Sequence, residues 1–247
     1  MRTSIKNEII NLLYPDDIKC IVCGMEMHPT RYGLCENCKI DLNVNYCVRC
    51  GRHKVGVSDY CGECAEMSLY FDEARSAVNY TGNAQGLVRR LKYGKSPFLA
   101  KQMSAFMLDI LLTSDWAIDC ITFVPMHKTR FKKRGYNQAE LLAQWIADGT
   151  DAPCISLLDK IKPTVNQARL DREARIANLR GSFSIIQKPP ERVLLIDDVM
   201  TTGSTASECA KTLKKAGARV VYLLTFASVP ERPLLDKPMQ NIRDFRR

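Results

Sequence analysis

Four Cys-x-x-Cys pairs stand within the first 64 residues: Cys20 and Cys23, Cys35 and Cys38, Cys47 and Cys50, Cys61 and Cys64. They separate into two halves in which the pairs are 11 and 10 residues apart. Zinc takes four soft ligands in a tetrahedron, and a C-x-x-C turn delivers two sulfurs from one tight knuckle. Gly24 and Gly51 follow the second cysteine of the first and third pairs, where the backbone must turn with positive φ close to the metal. The recurrence favours sequential ligation, with Cys20, Cys23, Cys35 and Cys38 on one ion and Cys47, Cys50, Cys61 and Cys64 on a second. The spacing also permits cross-bracing, with alternate pairs on each ion. Redox dithiols and iron–sulfur clusters use the same residue type, but four pairs at ribbon spacing suit them poorly. His28 and His53 are not needed to complete either shell and read as surface residues. The two ions are expected to be structural, since zinc contributes on the order of 10–16 kcal/mol per site to modules this small.

Charge divides where the cysteines thin out. Residues 1–72 hold eight Lys and Arg against ten Asp and Glu, a balance of −2, whereas residues 73–247 hold 28 against 17, a balance of +11. This predicts a zinc-ribbon module over 1–72, an α/β domain over 73–230 and an irregular basic tail over 231–247. The middle segment is long enough to bury a full core. Of the three remaining cysteines, Cys120 and Cys209 read as small core residues, and Cys154 has no partner at ligand spacing. No window reaches the ~18–20 apolar residues that cross a bilayer. The start, interrupted by Lys6, Asn7, Glu8 and Asn11, offers no signal-peptide core. A cytoplasmic protein with reduced thiols and no membrane insertion is expected.

The segment Arg192-Val-Leu-Leu-Ile-Asp197-Asp198-Val-Met-Thr201-Thr202-Gly203-Ser204-Thr205 carries the strongest chemical signal. Val193–Ile196 reads as a strand buried on both faces of a parallel sheet. Ala206–Ala216 reads as a helix stopped by Gly217, and Arg219–Phe226 as the next strand. In such a βαβ unit the loop lies at the carboxyl edge of the sheet. Successive amides and hydroxyls at Thr201, Thr202, Gly203, Ser204 and Thr205, ahead of a helix N-terminus, suit a phosphate monoester. Asp197 and Asp198 are placed to accept from ribose hydroxyls and to stabilise a cationic sugar. A capped helix after an ordinary strand would explain neither the paired acids nor the Thr/Gly/Ser run.

This stretch resembles the 5-phosphoribosyl-1-pyrophosphate (PRPP) loop of type I phosphoribosyltransferases. Cys120–Lys128 is similar to a strand followed by that family's pyrophosphate loop, which assigns Met126, His127, Lys128 and Arg130 to pyrophosphate. His127 could equally shape the turn. Arg134-Gly-Tyr-Asn-Gln-Ala139 opens a helix through Ala147. Residues 167–183 are similar to the flexible catalytic loop, with Arg172 and Arg175 as its candidate catalytic residues beside Asp197 and Asp198. Together with the double zinc ribbon, the pattern resembles the ComF (ComFC) competence family. The resemblance implies a type I phosphoribosyltransferase fold, a mostly parallel sheet flanked by helices, with a small hood around residues 74–100. It also implies Mg²⁺ bound with PRPP, transfer of phosphoribose to an acceptor the sequence does not name, and a role in DNA uptake. Single-stranded DNA and a ComFA-like helicase would then be partners, met at the inner face of the membrane.

Five cations fall in Lys128–Arg134, four (Arg89, Arg90, Lys92, Lys95) near the expected hood, and four (Arg169, Arg172, Arg175, Arg180) in the expected catalytic loop, a lid over bound substrate. That exceeds what one PRPP needs. The surplus could track a nucleic-acid backbone, with Tyr93, Phe131 and Tyr136 interleaved for base stacking, although half of it reads as solvated helix faces. Three functions stay open on these residues: a phosphoribosyltransferase, a single-stranded-DNA-binding accessory, and a PRPP sensor without turnover.

Overall fold

The computed structural model of the chain describes residues 18–62, 64, 69–163 and 179–231. Arg169, Arg172 and Arg175, expected in the catalytic loop, and the residues beyond Glu231 lie outside the described residues.

The N-terminal part is one motif built twice. Gly24 N donates to Cys20 O and Cys20 N to Met25 O, each at 2.8 Å, beside an antiparallel Lys19–Glu26 bridge. Gly51 N donates to Cys47 O and Cys47 N to Arg52 O, again at 2.8 Å, beside a Tyr46–His53 bridge. Gly24 and Gly51 take φ of +75° and +68°, the left-handed turn such a knuckle requires.

The rest is α/β. In chain order it comprises β1 (Glu73–Asn79), α1 (Gly82–Tyr93), α2 (Leu99–Leu112), β2 (Cys120–Phe123), α3 (Lys128–Arg134), α4 (Gln138–Asp148), β3 (Leu158–Lys160), β4 (Phe183–Ile185), β5 (Arg192–Met200), α5 (Ser204–Lys215) and β6 (Val220–Ser228). Four strands form an all-parallel sheet in the order β1-β6-β5-β2, and β3 and β4 pair antiparallel. The mostly parallel sheet flanked by helices is therefore present. Val193, Leu194, Leu195 and Ile196 are fully buried, which is why this run carries no polar residue. Strand β5 continues through both acids to Met200, because its pairing with β6 persists from Asp197–Thr225 to Met200–Ser228. Helix α5 begins two residues before the apolar run suggested. Residues 74–79, expected as the start of a hood, instead pair with β6 inside the main sheet. Cys120 and Cys209 are fully buried, as core residues should be.

The cysteine-rich part and the sheet share packing. Residues 41–43 run along the free edge of β1, where Asn43 N donates to Ala77 O at 3.1 Å and Asn79 N to Asp41 O at 2.8 Å. An open edge that would otherwise invite foreign strands is covered. Cys47, Cys50 and Cys61 join the same apolar cluster as Phe71, Ala74 and Val78. Among the described residues no helix is long and apolar enough to cross a membrane.

Candidate functional site

The eight expected ligands assemble into two separate sets. Cys20, Cys23, Cys35 and Cys38 form one and Cys47, Cys50, Cys61 and Cys64 the other, with all sulfurs of a set within 4.8 Å of one another. A tetrahedron with Zn–S near 2.3 Å has edges of about 3.8 Å. Cys23 Sγ and Cys35 Sγ are 3.7 Å apart, and Cys50 Sγ and Cys61 Sγ 3.6 Å. The donor sets fit zinc, and the grouping is sequential rather than cross-braced. Neither His28 nor His53 belongs to either set.

At the carboxyl edge of the sheet lies a cavity of about 330 Å³, within the range that accepts a small ligand. Strand β5 brings Asp197 and Asp198 to its floor, and Thr201 and Thr205 line it beyond them. Gly203 caps α5 at φ +73°, a conformation costly for any residue with a Cβ. No acidic side chain occupies the first turn of α5, so its partial positive charge is uncompensated. The Thr202 and Ser204 hydroxyls bond to each other at 2.9 Å. Thr201, Gly203, Ser204 and Thr205 line a smaller recess that shares residues with the first cavity, and Thr202 lines neither.

Two acids so close cannot both stay charged cheaply. Lys92 Nζ, near the end of α1, lies 3.0 Å from Asp198 Oδ1. Burial opposes the Lys92 charge, yet the Asp198 and Asp197 carboxylates outweigh it and hold the ammonium above its ordinary value. Asp197 is pushed up to about 7, first by burial and then by the neighbouring Asp198 charge. Lys160 of β3 also lines the cavity, and burial, helped by nearby Arg130, pulls its ammonium down. The site thus presents two carboxylates facing lysines from two other elements.

The Arg134–Ala139 segment positions these parts. Tyr136 Oη donates to Leu91 O at 2.7 Å, and Gln138 Nε2 to the same carbonyl at 3.4 Å. Both clamp the residue just before Lys92. Asn137 Oδ1 accepts from Ala139 N at 3.2 Å, capping α4, while its Nδ2 donates to Val124 O at 3.0 Å. One side chain therefore ties the start of a helix to the loop after β2. Met126 and His127 of that loop and Arg130 of α3 line the cavity, whereas Lys128, at the start of α3, is exposed and does not. His127 Nδ1 accepts from Thr129 N at 3.3 Å and caps α3, so it shapes the turn. A second groove of about 570 Å³ adjoins the first, lined by Lys92, Tyr93, Lys95, Arg130, Lys133, Arg134 and Tyr136. There the Arg134 guanidinium sits 4.9 Å from the centre of the Tyr93 ring.

Sequence reasoning did not single out Lys92 or Lys160. Lys92 stood among four cations with nothing to distinguish it, and Lys160 sits on a three-residue strand without a motif.

The double zinc ribbon domain family matches residues 9–65. The chain is 29% identical over 218 residues to competence protein F of Haemophilus influenzae, covering 84% of this chain and 95% of that protein. It is 28% identical over 217 residues to the DNA utilization protein YhgH of Salmonella typhimurium, covering 83% and 94%. Adenine phosphoribosyltransferase of Leishmania tarentolae overlaps 55% of this chain and 73% of its own, at 18% identity and a TM-score of 0.34. That is a loose likeness, and the fold stands on the strand order described above.

Proposed function

The chain is a homologue of competence protein F over most of its length, and from that premise we propose that it binds magnesium–PRPP and transfers phosphoribose in support of DNA uptake. The observation that carries this reading is the convergence in one cavity of Thr201, Thr205, Asp197, Asp198, Met126, His127 and Arg130. On this reading residues 1–72 hold the metals, residues 73–230 the chemistry, and residues 231–247 a basic tail.

The 5′-phosphate would accept hydrogen bonds from the amides and hydroxyls of Thr201–Thr205. Asp197 and Asp198 would accept from the ribose hydroxyls and stabilise positive charge at C1 as the bond to pyrophosphate breaks. An acceptor nucleophile would form its bond to C1 from the opposite face while pyrophosphate leaves with the electron pair. Met126, His127 and Arg130 would border the leaving group. Lys128 and the lid residues Arg172 and Arg175 are candidates for the same anion. Mg²⁺, arriving with PRPP, would supply charge neutralisation on the pyrophosphate. Lys92 would release Asp198 as ribose replaces it.

The test is a thermal-shift titration with PRPP in magnesium buffer, comparing the unsubstituted protein with Asp197→Asn/Asp198→Asn. A rise in Tm for the first and none for the second is expected; no rise in either removes PRPP as the ligand.

The groove beside the cavity supports a second activity at the same protein, contact with single-stranded DNA. Its lysines and arginines suit a phosphate backbone, and Tyr93, 74% exposed, offers a stacking face. A ComFA-like helicase at the cytoplasmic face of the membrane is the partner this role implies. If PRPP binds but no acceptor releases pyrophosphate, a sensor without turnover is the remaining form of the reading.

A further inference from the structure

We infer that Arg52 is a positioning residue through which the second four-cysteine set holds the phosphate loop in shape; the functional half of this inference rests on reading Thr201–Thr205 as that loop. Arg52 stands two residues after the ligand Cys50 and is 5% exposed. Its own carbonyl accepts from Cys47 N at 2.8 Å, so its backbone is locked into the knuckle. From there its guanidinium crosses to the other half of the molecule, where Nη2 donates to Thr201 O across 149 residues of sequence.

The consequence follows from peptide geometry. In a trans peptide the C=O of one residue and the N–H of the next point in opposite directions. Holding Thr201 C=O toward the ribbon therefore turns Thr202 N–H away from it and fixes the first peptide plane of the 201–205 run. A charge-assisted bond to a buried cation is a strong way to fix that plane.

Other contacts brace the same loop from the same direction. Phe71 and Leu69 lie behind Gly203, so a Cβ there would stand 3.6–3.7 Å from their side chains. Tyr70 N donates to Ser207 Oγ at 3.1 Å in the first turns of α5. On the far side of the knuckle, Gly51 lies against β1, where a Cβ would come within 2.6 Å of Ala74 O and Arg75 Cα. The knuckle thus cannot shift without moving either the sheet or the loop. Because coupling between the binding free energies of two sites is reciprocal, a ligand on the loop should in turn tighten zinc binding by the second set.

The test uses the full zinc-loaded chain and its Arg52→Gln and Arg52→Lys variants. Zinc content, hydrogen exchange of the 201–205 amides and calorimetric binding of magnesium–PRPP are measured on each. With zinc retained at two per chain, Arg52→Gln is expected to speed exchange in 201–205. It should also weaken PRPP about tenfold or more, as the loss of one charge-assisted bond implies. Arg52→Lys, which keeps a charged donor, should fall between. Unchanged exchange in Arg52→Gln overturns the inference. Faster exchange in a protein that binds no PRPP even when unsubstituted keeps the brace and discards the phosphate reading. If Arg52→Gln fails to fold, Arg52→Lys decides: exchange equal to the parent at reduced side-chain reach counts against the brace.

Discussion

Lys92 Nζ contacts Asp198 Oδ1 at 3.0 Å, joining the end of α1 to the acid edge of β5. The Asp198 carboxylate is only 8% exposed, so a lost partner leaves a nearly buried charge. Lys92→Met should cost about 1–3 kcal/mol, discounted for the 25% exposure of the lysine. In a double-mutant cycle with Asp198→Asn, chemical denaturation should show the pair of changes costing less than their sum.

Asp197 makes stability depend on pH. Its folded value of about 7 lies above the ordinary 3.8, so the folded state holds a proton the unfolded chain has given up. That contribution is full below about 4 and is lost as pH rises through about 7. Asp197→Asn should therefore stabilise the protein by about 1–4 kcal/mol at pH 8 and by little near pH 4. Parallel unfolding curves at the two pH values would contradict this.

The knuckle glycines share a sequence position and differ in surroundings. A Cβ at Gly24 meets nothing within 4 Å, whereas at Gly51 it strikes the β1 backbone at 2.6 Å. Gly24→Ala should cost about 1–2 kcal/mol, the penalty of a left-handed φ alone. Gly51→Ala adds a backbone collision and should lower Tm far more, read by calorimetry on the zinc-loaded chain.

Zinc should leave in two phases. Cys23 is exposed, while Cys47, Cys50 and Cys61 are all buried. A chromogenic chelator should withdraw one ion per chain quickly from the first set and one slowly from the second. Cys23→Ser should remove only the fast phase.

DNA contact, if it runs through the groove beside the cavity, should respond to salt. Log affinity for single-stranded DNA falls with log salt by roughly 0.7 per neutralised phosphate. Lys95→Glu/Lys133→Glu removes two groove cations and should flatten that slope by about 1.4. An unchanged slope would place DNA elsewhere.

Local spacing revealed the parts that depend on neighbours in sequence. The cysteine sets, the βαβ unit around Val193–Ile196 and the Thr201–Thr205 loop all follow from repeats, apolar runs and turn chemistry within a few residues. Partnerships between distant segments were hidden. Nothing near Lys92 in sequence marks it as the partner of Asp198, and nothing near Arg52 points to Thr201. The Arg134–Ala139 run showed that a helix began there, but the bonds of Tyr136 and Gln138 to Leu91 O depend on where α1 ends. Strand β5 outruns its apolar stretch for a related reason: its last residues are kept extended by pairing with β6, not by their own apolar character.

The covered edge of β1 and the shared core have a meaning for descent. A gene segment for residues 1–72 could not be traded between relatives as a free cassette. It would arrive carrying Gly51, which lies against β1, and Arg52 and Phe71, which lie against Thr201 and Gly203. Recombinants would survive only where β1 and residues 201–207 changed with it, so the two halves should have diverged in step.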